Sequence, residues 1–206
     1  MLASQQFDIK DFNRYLIRGT DKTCYVSDKY PGKILKISPL AKANQILREI
    51  SYFEFLRKRG VSPSFMPKFY GRYSDDKTIG YVQELIFGND IKSLWQAVPM
   101  FYGPQLEILE EAILNIRREM IEKNIIILDL HSGNILCNIK TLKMWIIEGY
   151  GTSEFIPLPQ YCRFFGRLKI ERQWKKFVFR YGKQLSALAK QKGEWVPSLI
   201  VPAPVE

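Results

Sequence analysis

Asp129 and Asn134 stand five residues apart in a polar loop between apolar segments, and a third hard oxygen ligand, Glu148, follows the next apolar hairpin. Phosphoryl transfer calls for residues of these types. A carboxylate orients the attacking oxygen and takes its proton, while further oxygen ligands hold Mg²⁺ against the phosphates of a nucleotide. The pattern D-x-x-x-x-N followed by acid-Gly-aromatic-Gly at Glu148-Gly-Tyr-Gly151 supplies all three groups. Residues of these types make Asp129 the candidate base and Asn134 and Glu148 candidate metal ligands.

Other chemistries are poorly served. His131 is the sole histidine, so a Ser-His-Asp triad or a histidine ligand set would have to pass through that one residue. Cys24, Cys137 and Cys162 are odd in number, far apart and free of C-x-x-C spacing, which gives neither a disulfide framework nor a zinc site. The net charge of +10 favours an anionic partner, and its distribution is uneven. From Tyr161 to Glu206 there are ten Lys or Arg against three Glu, a local balance of +7. An acidic partner at this basic C-terminal pole is one expectation; nucleic acid is disfavoured because no nucleic-acid motif accompanies the charge.

A phosphate grip needs a cation upstream. Lys36 lies inside the apolar run Ile34-Leu-Lys-Ile37, where a charged side chain needs a reason, and Glu49 shares a helical face with Ile46, Ile50 and Phe53. Lys36 and Glu49 form the expected pair, with Glu54 as the other partner that a broad apolar face leaves open.

The elements that would hold these groups follow from periodicity and turn residues. Short strands are expected at 14–17, 23–26 and 33–37, broken by turns at Gly19-Thr-Asp21 and Tyr30-Pro-Gly32, then a helix over 43–59 stopped by Gly60. Strands over 67–73 and 78–86 complete a β-β-β-α-β-β order. Beyond Phe87-Gly-Asn89 the pattern turns helical, with a short helix over 91–97 and a long one over 104–123, where Leu106, Leu109, Ile113, Ile116 and Met120 form one stripe. Strands at 135–138 and 143–147 flank the acidic motifs. A basic amphipathic helix over about 168–190 is followed by a loose end at 197–204. The first thirty residues have no continuous apolar stretch of the secretory kind, and no run is long enough to span a bilayer, so a soluble, cytoplasmic protein is expected.

Cys24-Tyr25, Ile34-Leu-Lys36, Arg48-Glu-Ile50, Met66-Pro-Lys-Phe-Tyr-Gly71, Val82-Gln-Glu-Leu-Ile86 and Asp129-Leu-His-Ser-Gly-Asn-Ile-Leu136 together resemble the bacterial YrbL family, the PhoP regulatory network proteins. The resemblance covers roughly the first 150 residues. It implies an α+β, two-lobed protein-kinase-like fold: an N-lobe over 1–86 with a small antiparallel sheet and one helix, and a compact, mainly helical C-lobe over 87–206. It also implies ATP and Mg²⁺ as cofactors. Gln83 to Ile86 would be a hinge whose backbone at Glu84 and Ile86 meets an adenine, and Gly19 would be the remnant of a phosphate-binding loop.

The sequence departs from the kinase pattern in four respects. Gly19 stands alone where a glycine-rich loop is usual, and Glu148 stands where Asp is usual. Ile127-Leu128 replaces His-Arg before Asp129, and only 58 residues follow Glu148, with no A-P-E. The last departure argues against a protein substrate, while the lone Gly19 and the longer Glu148 weaken the expected grip on phosphates and Mg²⁺. Three functions remain open on the sequence. One is an ATP-dependent phosphotransferase acting on a small or cell-envelope-related substrate, and the second a pseudokinase that binds nucleotide or a regulatory protein without turnover. The third is an anion-binding protein acting through its basic tail.

Overall fold

The computed structural model describes residues 7–19, 21–154, 156–193 and 197–201. The chain forms two compact units, one of residues 1–62 and 67–87, the other of residues 63–66 and 88–206.

In the first unit the alternating segments become β1 (Arg14–Arg18), β2 (Thr23–Val26) and β3 (Lys33–Pro39), followed by the helix α1 (Asn44–Lys58) and the strands β4 (Phe69–Ser74) and β5 (Thr78–Glu84). They build one antiparallel sheet in the order β1-β2-β3-β5-β4. Because strand side chains alternate between faces, the register sorts the residues. Cys24 pairs with Lys36, Val26 with Ile34 and Lys36 with Tyr81, so these share one face, while Tyr25, Leu35 and Val82 share the other. Leu35, Ile37 and Val82 bury themselves with Phe7 and Phe12. On the Lys36 face, α1 packs through Phe53, whose ring lies 5.2 Å from both Tyr81 and Phe69. Cys24, Val26 and Ile34 form a separate apolar cluster there with Leu85.

The second unit begins with β6 (Ile91–Ser93), where a helix over 91–97 was expected. The helix α2 (Leu94–Ala97) starts only after a reciprocal capping box between Ser93 and Gln96. Residues 91–93 instead pair with β7 (Ile135–Asn138), which pairs in turn with β8 (Met144–Ile146). The long helix α3 (Pro104–Lys123) buries the expected stripe together with Glu110. After a short helix α4 (Leu158–Tyr161), α5 (Arg163–Lys192) runs thirty residues and buries Ile170, Trp174, Phe177, Tyr181 and Leu185. Arg117 of α3 holds Glu171 of α5 through two 2.8 Å contacts. Residues 197–201 are not a loose end: Ser198 and the Leu199 amide both donate to the buried Glu110, and Ile200 is buried. Residues 202–204 lie outside the described residues. Among the described residues no helix is long and apolar enough to cross a membrane.

Candidate functional site

In the first unit, Lys36 is 3% exposed in the middle of β3, its ammonium 5.9 Å from the Tyr81 ring centroid. Glu49, wholly buried on α1, accepts at Oε2 from the Lys22 ammonium and from the Tyr81 hydroxyl, each at 2.9 Å. Lys22 was not anticipated, yet strand alternation carries a signal for it. Positions 22, 24 and 26 share a face, and Cys24 is the register partner of Lys36. Tyr81 becomes visible only once β3 is paired with β5. Buried charges persist when paired and hydrogen-bonded, and Glu49 meets both conditions.

Gly19 closes the β1–β2 turn by donating its amide to the Lys22 carbonyl at 2.8 Å, so that donor is spent within the turn. At the other end of the sheet, the Glu84 amide donates to the Lys68 carbonyl and the Leu85 amide to the Gly32 carbonyl. A backbone contact from Glu84 to a base would therefore come through its carbonyl. Ile86 is half-buried just beyond β5.

In the second unit Asp129 and Asn134 lie on a loop between the buried run Ile125–Ile127 and β7. The Asn134 side chain donates its amide to the Asp129 carbonyl at 3.1 Å, which fixes the two ends of the D-x-x-x-x-N motif against each other. That use of the Asn134 nitrogen leaves its side-chain oxygen as the atom suited to a cation. The Glu148-Gly-Tyr-Gly151 segment lies alongside. The Leu128 amide donates to the Gly149 carbonyl, Gly151 donates to Ile126, and the buried Tyr150 hydroxyl donates to the Ile146 carbonyl. Gly149 is obligatory here: its φ is +88°, and a Cβ would lie 3.1 to 3.3 Å from three atoms of Asp129. Gly149→Ala should cost about 1–3 kcal/mol of stability by forcing a non-glycine residue into this region. Chemical denaturation of the two proteins checks it, and an unchanged midpoint would contradict it.

The Asp129 carboxylate is 54% exposed and faces two other side chains. Arg180 of α5 approaches Oδ1 at 3.3 Å, and His131 Nε2 approaches Oδ2 at 3.5 Å. The Gly133 amide donates to His131 Nδ1 at 3.0 Å, which leaves the ring proton on Nε2, the nitrogen turned toward Asp129. These residues, with Trp95 and Ser132, line a cavity of about 470 Å³. The sequence carries no local signal for Arg180, which lies 51 residues from Asp129. Burial pushes the Cys137 thiol up to about 11, so it is no thiolate nucleophile at neutral pH. Among the described residues, no group of three or more His, Cys, Asp or Glu could hold a metal alone. A cation at Asn134 and Glu148 would complete its shell with phosphate oxygens and water, as Mg²⁺ commonly does.

Comparison with known proteins agrees with this layout. The family described as PhoP regulatory network protein YrbL matches residues 10–182. No curated protein matches. Among the 1225 solved chains that do match, the crystal structure of Rad53 1–466 in complex with AMP-PNP aligns with a TM-score of 0.53 at 20% identity. The alignment covers 68% of this chain and 39% of the Rad53 chain. The likeness is one of fold: the architecture is that of a two-lobed, protein-kinase-like protein.

Proposed function

We propose, on the premise that this chain belongs to the family of the PhoP regulatory network protein YrbL, that it is an ATP-dependent phosphotransferase acting on a small or cell-envelope-related hydroxyl compound. The observation that carries the reading is the half-exposed carboxylate of Asp129, held in a cavity by a loop whose other end, Asn134, offers a side-chain oxygen. The nucleotide part is supported by one face of the sheet, which combines the buried Lys36 with the apolar cluster of Cys24, Val26, Ile34 and Leu85. An ammonium serves the phosphates and an apolar surface serves a purine. The solved kinase of similar fold is in complex with AMP-PNP, which favours a nucleoside triphosphate as donor.

Hard oxygen donors at Asn134 and Glu148 fit Mg²⁺, which when bound would neutralise charge on the transferred phosphoryl group. Asp129 orients the acceptor hydroxyl and receives its proton. His131, with its proton on Nε2, steadies the Asp129 carboxylate, and Arg180 rests on it while the acceptor is absent. Lys36 grips the phosphates, and Glu49 orders the side chains around it by anchoring Lys22 and Tyr81. Adenine meets the backbone at Glu84 and Ile86.

The second reading, a pseudokinase, is favoured by Gly19, whose amide is spent on Lys22, and by the longer side chain of Glu148. Nucleotide binding is common to both readings and is tested by thermal unfolding. With Mg-ATP at about one hundred times its Kd, native stability rises by about 2.7 kcal/mol and Tm rises with it. No rise at millimolar nucleotide would overturn ATP as the ligand.

A further inference from the structure

The cavity beside Asp129 has a composition that a base alone does not require. Arg180 supplies a cation, 52% exposed on its side chain, and Trp95 supplies a broad apolar ring, 59% exposed. Asp129 is the one carboxylate among the lining residues.

The walls are fastened to one another. The Gln184 side chain, buried one helical turn beyond Arg180, donates to the Trp95 carbonyl at 3.0 Å. The Trp95 amide in turn donates to the Ser132 carbonyl at 3.2 Å. Helix α5, helix α2 and the Asp129 loop are thereby held as one frame around the space, which brings the turn of α5 that carries Arg180 beside Asp129. Lys176 and Lys183 lie at helical spacing from Arg180 on the same exposed face of α5, which extends a positive field along the helix.

We propose that this cavity is the acceptor subsite, and that its substrate is a small hydroxyl compound bearing an anionic group, phosphate or carboxylate, that Arg180 binds. The inference rests on the phosphotransferase reading and names its substrate class. Without acceptor, Arg180 rests on Asp129. With acceptor, the substrate's anion takes the guanidinium, for which a planar fork of donors suits either oxyanion, and a flat or apolar part of the molecule packs on Trp95. Asp129 is then released from Arg180 for the acceptor hydroxyl. That oxygen bonds to the γ-phosphorus of the nucleoside triphosphate as the bond to the β–γ bridging oxygen breaks. The nucleoside diphosphate leaves with the electron pair, and the hydroxyl proton passes to Asp129.

The test titrates inorganic phosphate, and acetate in parallel, into the full chain while the indole NMR signal of Trp95 is followed, with chloride at matched ionic strength as control. Saturable shifts are expected in wild type, and affinity at least about tenfold weaker in Arg180→Gln, which loses a charge-assisted pair. Asp129→Asn should bind at least about threefold tighter, because the competing carboxylate is neutralised. The preference between phosphate and acetate identifies which oxyanion the acceptor carries. Equal affinity in wild type and Arg180→Gln, or shifts that chloride reproduces, overturn the proposal. ATP turnover with no Arg180-dependent anion binding removes this inference and leaves the phosphotransferase standing. Arg180-dependent binding without ATP turnover keeps the anion site and removes the reaction.

Discussion

Glu49→Ala lowers the stability of the protein by about 3–5 kcal/mol, the loss expected when one member of a buried ion pair is deleted. Both partners are nearly inaccessible to water: side-chain exposure is 6% for Lys22 and nil for Glu49. The same carboxylate oxygen also accepts from the buried Tyr81 hydroxyl, so two donors lose this acceptor at once. Urea unfolding of wild type and variant measures the effect. The double replacement Glu49→Leu with Lys22→Met should recover much of it, since apolar side chains of similar volume avoid the desolvation of both charges. A single-variant loss below about 1 kcal/mol, the scale of an exposed pair, would contradict the role given to Glu49.

What the sequence could show was set by the range of the forces involved. Helix α3 is written in its own apolar repeat, and β2 and β3 in their alternation and flanking turns, because those signals are local. Ile91–Ser93 misled because three residues carry no periodicity, and their strand character comes from pairing with Asn138, Cys137 and Leu136 more than forty residues away. The helix proper is announced by Ser93 and Gln96, a capping box readable in the sequence. Helix α5 starts before its apolar stripe because Phe164, Phe165 and Leu168 remain exposed, which hides its first turns from a burial pattern. At the candidate site, spacing alone singled out Asp129 and Asn134, and the structure adds the bond from the Asn134 side-chain amide to the Asp129 carbonyl. The companions of that loop were not legible in this way. Arg180 reaches Asp129 through the packing of α5, and Gln184 reaches Trp95 across 89 residues. Lys22 sits between these cases, since alternation points it to the Lys36 face while its partner on α1 depends on tertiary packing.

In the proposed reaction the Asp129 carboxylate accepts the acceptor's proton, and general-base contributions of this kind amount to roughly 10²–10⁴ in rate. Removing that carboxylate leaves in place the nucleotide contacts assigned to Lys36 and to the apolar cluster of Cys24, Val26 and Ile34, and Asp129 is largely exposed, so folding and nucleotide affinity should persist. That combination separates a base from a structural residue. The most direct measurement is ATP consumption by the full chain with Mg²⁺, wild type against Asp129→Ala, in samples whose Mg-ATP thermal shifts are compared alongside. The expected rate for Asp129→Ala is lower by roughly two to four orders of magnitude, with the thermal shift retained. Equal consumption by the two proteins would contradict it.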